Sequence, residues 1–401
     1  MNAVPRVSAG YAGPPLFSYG FRPFFLAGGI WAVCALALWI PAFFGQLVLP
    51  TALSPLDWHI HEMLYGYLAA VVAGFLLTAI PNWTGRLPVA GSSLAALVAL
   101  WLAGRLAVGA SWYLGSLLAA AIDILFLVTL TATCLREVIV GRNWRNLRVL
   151  GVLSVLLIGN VVFHIEVIVR GLSSYGTRIG IAGAIALIML VGGRIIPSFT
   201  HNWLARKGAG RLPQPFSRYD RVALGVGGIA LLAWVLQPIS AATGAALVLA
   251  AILHVVRLAR WAGDRTAGDR LVLILHLGYA FVPLGFLLTG LAAQWPQLFP
   301  MSAGIHAWTV GAIAIMTLAV MTRATLGHTG RDLAASTGTQ VVYAFAVAAA
   351  LLRIMASFVV SEPLLEVATF AWLAAFGGFL MIYGPMLLRA KVQSRAPTKP
   401  A

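Results

Sequence analysis

The sequence predicts an all-α polytopic membrane protein of about twelve transmembrane helices, and three observations lead there. The first is composition: of 401 residues, 61% are hydrophobic and only 9% charged, with a mean hydropathy of +0.92. A soluble domain carries about 25% charged residues, and a disordered chain has low hydrophobicity, so both classes are excluded. The second is length, since at about 20 apolar residues per crossing the chain holds about a dozen spans and no large soluble domain. The third is the distribution of charge. With the N-terminus placed inside, 23 of the 27 Lys and Arg residues fall on the cytoplasmic side, which is the positive-inside pattern for an even number of spans. Only Arg105, Arg170, Arg178 and Arg353 are left over. The formal net charge of +16 is thereby a record of topology and not a nucleic-acid footprint.

The elements follow as apolar stretches bounded by Gly, Pro or charge. In the first half they span 24–46, 59–80, 90–110, 113–135, 147–170 and 178–198. In the second half they span 220–238, 241–259, 270–292, 304–324, 339–360 and 363–388. The narrowest divisions are Ser111-Trp112 and Pro238 to Ala241. No short apolar run ending in small residues marks residues 1–18 as a cleavable leader. The whole chain, 1–401, reads as one integral membrane domain with a short cytoplasmic tail at 391–401. Cys34 and Cys134 both lie inside apolar runs, so no disulfide framework is expected.

A repeat divides the chain further. His61, Gly66, Thr84, Gly85 and Arg86 recur 245 residues later as His306, Gly311, Thr329, Gly330 and Arg331. Asn82-Trp83 and Arg86 recur 120 residues later as Asn202-Trp203 and Arg206. Helices 2, 6 and 10 are thus related, which implies three blocks of four helices at 24–135, 147–260 and 270–388. A major-facilitator repeat would relate helix 2 to helix 8 instead. Three blocks of four resemble the heme-copper oxidase catalytic subunit, a fold-level analogy only.

The eight histidines fall into two layers. His59, His61, His164 and His306 lie near the outer face, and His201, His254, His276 and His328 near the inner face. Ionisable groups in a bilayer are costly and face the bundle interior or a cofactor, and imidazole is a common ligand of haem iron and copper. His59 and His61 are about 200° apart on an ideal helix, so they do not share one metal on a regular helix. The repeat selects His61 and His306 as the axial pair of a haem between helices 2 and 10, with His59 and His164 as further candidates. The inner four are candidate metal ligands. Gly66 and Gly311 read as helix-packing positions. Glu62 is placed to accept from His59, or else sits at headgroup level. Glu166 stands four before Arg170, the helical ion-pair spacing. Asp123 and Arg353 have no partner nearby in sequence, and each is a buried tertiary pair or part of a polar path. Zinc-type Cys spacing, phosphate-binding glycine motifs and a Ser-His-Asp constellation are absent.

Three motifs then take on a family likeness: Leu16-Phe-Ser-Tyr-Gly-Phe-Arg-Pro-Phe-Phe25, Trp58-His-Ile-His-Glu-Met63 with Gly74-Phe-Leu-Leu-Thr-Ala-Ile-Pro-Asn-Trp-Thr-Gly-Arg86, and Gly193-Arg-Ile-Ile-Pro-Ser-Phe-Thr-His-Asn-Trp203. Together they resemble the NnrS family over essentially the whole chain. That resemblance implies a bacterial inner-membrane protein containing haem, expected as b-type, and copper, associated with denitrification and the response to nitric oxide. It implies metal or haem ligation for His59, His61 and His201, and nitric oxide as the small-molecule ligand. The oxidase copper-site pattern is missing, which argues against oxidase-type reductase chemistry. Two other readings stay open: a transporter or sensor module with a histidine-lined polar path through Asp123, Glu166 and Arg353, and a metal-protection or assembly factor without turnover.

Overall fold

The computed structural model describes residues 11–359 and 361–392. Arg6, Arg395, Lys399 and the tail beyond 392 lie outside the described residues. Among the described residues, twelve helices long and apolar enough to cross a membrane run as α1 (Phe21–Phe43), α2 (Pro55–Thr84), α3 (Ser92–Gly109), α4 (Ser116–Val140), α5 (Trp144–Arg170) and α6 (Tyr175–Leu204). They continue as α7 (Arg218–Leu236), α8 (Ala241–Ala259), α9 (Arg270–Gln294), α10 (Met301–His328), α11 (Thr337–Phe358) and α12 (Glu362–Leu388). The chain is therefore an all-α multi-pass membrane protein. We call the end at which the even-numbered helices begin the near end, and the other the far end.

Local chemistry sets the boundaries. Ser54 accepts from the Asp57 N–H ahead of Pro55, which starts α2 four residues before the apolar run suggests. Ser217 and Asp220 form a reciprocal capping box on α7, and Asp269 caps α9 through Leu271 and Val272. Gly85 and Gly171 take left-handed conformations that end α2 and α5, as helix C-caps require. Cys34 and Cys134 are both free.

Three helices form the centre. The most apolar window of α2 is 83% buried and that of α10 is 72%, because α2, α6 and α10 touch one another and are wrapped by the rest. Around them α1 packs on α2, α5 on α6 and α9 on α10, while α3 pairs with α4, α7 with α8 and α11 with α12. The three central helices share a departure from α-geometry: π-helical stretches at Glu62–Leu68, Ile188–Gly192 and Ala307–Ala314. Such stretches are rare and concentrate at functional sites. Between the central helices lies an apolar cavity of about 70 Å³ walled by Leu68, Val72, Leu187, Val191, Ile313 and Met316.

The first motif is explained by packing. Phe21, Phe24 and Phe25 are fully buried, and Arg22 donates to the carbonyls of Leu387 at 2.9 Å and Arg389 at 2.6 Å, closing the C-terminus of α12. Orphan carbonyls at a helix end favour such a cation.

Candidate metal centre

The near end of α2 to α5 holds a buried polar cluster. His61 and Glu62 come from α2, Arg105 from α3, Asp123 from α4, and Asn160 and His164 from α5. His61, Glu62, Arg105, Asp123 and Asn160 are each 2% exposed or less. Glu62 Oε1 lies 2.9 Å from His61 Nδ1, and its Oε2 accepts from Arg105 at 2.7 Å and from the Trp31 indole at 2.6 Å. Arg105 also pairs with Asp123. The second oxygen of Asp123 accepts from Asn160 Nδ2 at 2.8 Å and lies 3.1 Å from His61 Nε2 and 3.0 Å from His164 Nε2. The two Nε2 atoms are 3.2 Å apart. Two imidazole nitrogens and one carboxylate oxygen therefore converge on one point, within metal-ligating reach.

The backbone makes room for this. The π-turn beginning at Glu62 re-phases α2 directly after His61, so Gly66 lies beside the cluster. A Cβ there would come 2.8 Å from Arg105 Nη1 and from Trp31 Nε1. Gly104 likewise lets Asp123 approach, since its Cβ would stand 2.9 Å from Asp123 Oδ1. Gly66 is thus part of the site as well as a packing position, whereas Gly311 packs on the Phe281 ring.

Several sequence expectations change here. Glu62 bonds His61 and not His59, because the helix presents His59 to the opposite side, stacked on Trp39 at 4.0 Å. The structure brings His61 together with His164 and not with His306, since His61 Nδ1 is taken by Glu62 and Nε2 faces Asp123 of α4 and His164 of α5. Asp123 is a buried tertiary partner of Arg105, which lies eighteen residues before it and was one of the four arginines left over by topology. Glu166 chiefly accepts the N–H groups of Ser174 at 2.9 Å, Tyr175 at 3.1 Å and Gly176 at 2.8 Å. It caps α6 in that way, and Arg170 stays 3.9 Å off. Asn160 and Trp31 gave no sequence signal, being single polar or aromatic residues in apolar runs.

The other histidines stand apart from this cluster. His306 donates Nδ1–H to the Ser302 carbonyl at 2.7 Å, and Arg353 donates to Ser357 Oγ at 3.2 Å. At the far end, His328 stacks on Tyr19 and packs tilted against Phe21, and burial pushes the Tyr19 phenol up to about 12. His201 is exposed. His276 lies 2.8 Å from Thr200 Oγ1, whose own proton goes to Ile196, so Nε2 donates and Nδ1 keeps a buried lone pair. His254 lies 2.8 Å from the Tyr279 hydroxyl. Arg257 donates to that same hydroxyl at 2.8 Å while pairing with Asp220 at 3.1 Å. The hydroxyl proton is then free to go to His254 Nδ1, which leaves His254 protonated on Nε2 and without the lone pair a metal needs there. Arg257, counted by topology as a cytoplasmic charge, is 1% exposed; Gly193 of the third motif makes room for it, as a Cβ there would lie 2.1 Å from its guanidinium. Replacing Tyr279 by Phe is expected to leave a buried guanidinium N–H and a ring nitrogen unpaired. The expected loss is about 1–3 kcal/mol, read as a lower unfolding midpoint of the detergent-purified protein against Tyr343→Phe.

The family described as NnrS protein matches residues 15–391. The chain belongs to the NnrS family. Neither curated proteins nor solved structures gave a match. Membership supports a membrane protein associated with the nitric oxide response, and it covers every residue of the cluster just described. In this NnrS chain the second motif therefore does two things: His61 and Glu62 build the near-end cluster, and Arg86 closes the far end on Glu137 at 2.6 Å.

Proposed function

We propose that this chain is an inner-membrane metalloprotein of the nitric oxide response, N-in and C-in, whose His61, His164 and Asp123 hold a metal ion. The observation that carries the reading is the convergence of two Nε2 atoms and one carboxylate oxygen within 3.0–3.2 Å of one another. Charge supports it: Glu62 and Asp123 against Arg105 leave one negative charge with both imidazoles neutral. In a bilayer interior one proton or one cation is needed to balance that. Imidazole and carboxylate donors suit copper, zinc or iron, and Glu62 on His61 Nδ1 is the outer partner that ligating histidines use to fix their tautomer. A haem does not fit between His61 and His164, because rings whose Nε2 atoms are 3.2 Å apart admit a bare ion and no macrocycle. When bound, the metal would supply a centre for a small neutral ligand such as nitric oxide. The chain's own part is to orient both imidazoles through Glu62 and Asp123, to hold the charge balance through Arg105, and to exclude water. The central cavity gives an apolar molecule dissolved in lipid a place inside the bundle. We also read the bundle as three four-helix blocks, 24–135, 147–260 and 270–388. The matching π-starts at Glu62 and Ala307, each directly after a repeat histidine, support that division.

The test is Cu(II) binding to the purified chain. Wild type is expected to bind one ion per chain at the cluster, and His164→Ala and Asp123→Asn to lose it. Because the cation displaces the proton that balances the empty cluster, affinity should rise with pH, by about tenfold per unit for a single displaced proton. Equal stoichiometry in wild type and both variants would remove the cluster as the site. Nitric oxide consumption beyond stoichiometric binding, with an electron donor, separates an enzyme from a factor that only binds.

A further inference from the structure

We infer that the far end, where α1, α10 and α12 meet, binds the phosphate of an anionic phospholipid headgroup through Arg331, Lys391 and Arg389. The site uses no residue of the metal centre and is tested apart from it.

The internal repeat shows what is missing there. α2 and α10 end alike: Thr84 and Thr329 each donate to a carbonyl four residues earlier, at 2.9 and 2.6 Å, and Gly85 and Gly330 follow in left-handed conformations, at φ 69° and 75°. An arginine comes next in both. Arg86 is met by Glu137 at 2.6 Å. Among the described residues Arg331 has no carboxylate at ion-pair distance, and its Nη1 is buried without a hydrogen-bond partner. Buried polar atoms are almost always satisfied, so the second arginine is set for an anion that the chain does not supply.

Packing brings further cations to the same place. The segment after α12 crosses the end of α10, where the Val392 N–H donates to the Thr329 carbonyl at 3.0 Å. Lys391 lies against Gly330, its Cγ and Cε each 3.4 Å from where a Cβ would stand. The Arg389 carbonyl is 2.6 Å from Arg22 Nη1, and the Arg22 guanidinium and the His328 ring lie 5.4 and 5.3 Å from the Phe21 ring. Arg22 is buried and adds fixed positive charge beneath the exposed Arg389 and Lys391. None of these cations forms an ion pair among the described residues. The nearest acid in sequence, Asp332, is exposed and pairs with none of them.

The surroundings select the ligand. Phosphate matches a guanidinium fork, and basic clusters between helix ends at a membrane surface suit anionic headgroups. Free phosphate would use the cations alone. Beside them, however, Leu388, Leu333 and Val392 are 51%, 49% and 47% exposed, and Leu333 reaches to 3.6 Å from the Cβ position of Gly327 in the last turn of α10. A phospholipid satisfies both sets, with its phosphate on the cations and its acyl chains on the apolar side chains.

Native mass spectrometry of the full-length protein in detergent, titrated with phosphatidylglycerol or phosphatidylcholine, tests this. Wild type is expected to hold phosphatidylglycerol severalfold more tightly than phosphatidylcholine. Lys391→Gln should weaken phosphatidylglycerol binding about fivefold, the worth of one basic residue near a charged surface. Arg331→Gln should weaken it further, with Arg331→Lys between. Arg206→Gln, which removes an exposed arginine at the matching repeat position after α6, should leave binding unchanged, and excess inorganic phosphate should not displace the lipid. Equal phosphatidylglycerol binding in wild type, Lys391→Gln and Arg331→Gln, or as large a loss in Arg206→Gln, would overturn the site. Displacement by inorganic phosphate would reassign it to a free phosphate and overturn the lipid.

Discussion

Arg105→Leu is expected to destabilise the protein by about 3–5 kcal/mol, the usual consequence of removing one member of a buried ion network. Its guanidinium binds Glu62 and Asp123 at once, and without it two carboxylates face each other across His61 with no fixed cation. Arg105→Lys should recover only part, since a point charge cannot serve two carboxylates in the planar geometry of the fork. Asp123→Asn in the leucine background should recover some of the loss by removing one unpaired charge. Thermal or denaturant unfolding in one detergent, at matched pH, measures all four proteins. A leucine variant within about 0.5 kcal/mol of wild type, the range of ordinary surface substitutions, would mean that the network is not ionised as described.

Gly176→Val should break the pairing of α5 and α6. A Cβ at Gly176 would stand 2.4 Å from the backbone N and Cα of Phe163, and backbone cannot give way as a flexible side chain can. Overpacking generally costs about 1–3 kcal/mol, and this site belongs at the top of that range or beyond. Gly176 also donates to Glu166 and accepts from Tyr65 at 2.8 Å, so separation loses the α6 cap and frees Tyr65, whose ring packs 5.5 Å from that of His61. Gly151→Val on the partner helix α5, with nothing within 4 Å of its Cβ, is the control for helix propensity alone. Similar folded yield and unfolding midpoint in the two variants would refute the close approach.

All twelve spans were legible because a bilayer demands long apolar runs whatever their tertiary partners. Boundaries slipped where capping decided them: Ser54 and Pro55 begin α2 early, and α6 runs on through His201 to Leu204. The site was legible in part. His61, Glu62, Asp123 and His164 stand out as ionisable residues in apolar segments, but their grouping does not follow from ideal helical angles, because a π-turn starts inside the motif. Arg257 was hidden by the same rule that made the topology readable, whereas Arg105 stood out as one of its four exceptions but with no partner named by spacing. A count of basic residues per face has no means of separating a charge at a membrane surface from one buried against an aspartate.

The contact of Arg22 with the last turn of α12 has a consequence for assembly. The two residues joined, Arg22 and Leu387, are 365 apart in sequence, and α1 packs along α12. The bundle therefore has its seam between α1 and α12, the earliest and latest of the twelve described helices. α1 emerges first during synthesis and waits for nearly the entire chain before its long-range neighbour exists. Premature termination before α12 would leave the Arg22 guanidinium and one flank of α1 facing lipid, so truncated products should be recognised as unassembled even with eleven helices inserted.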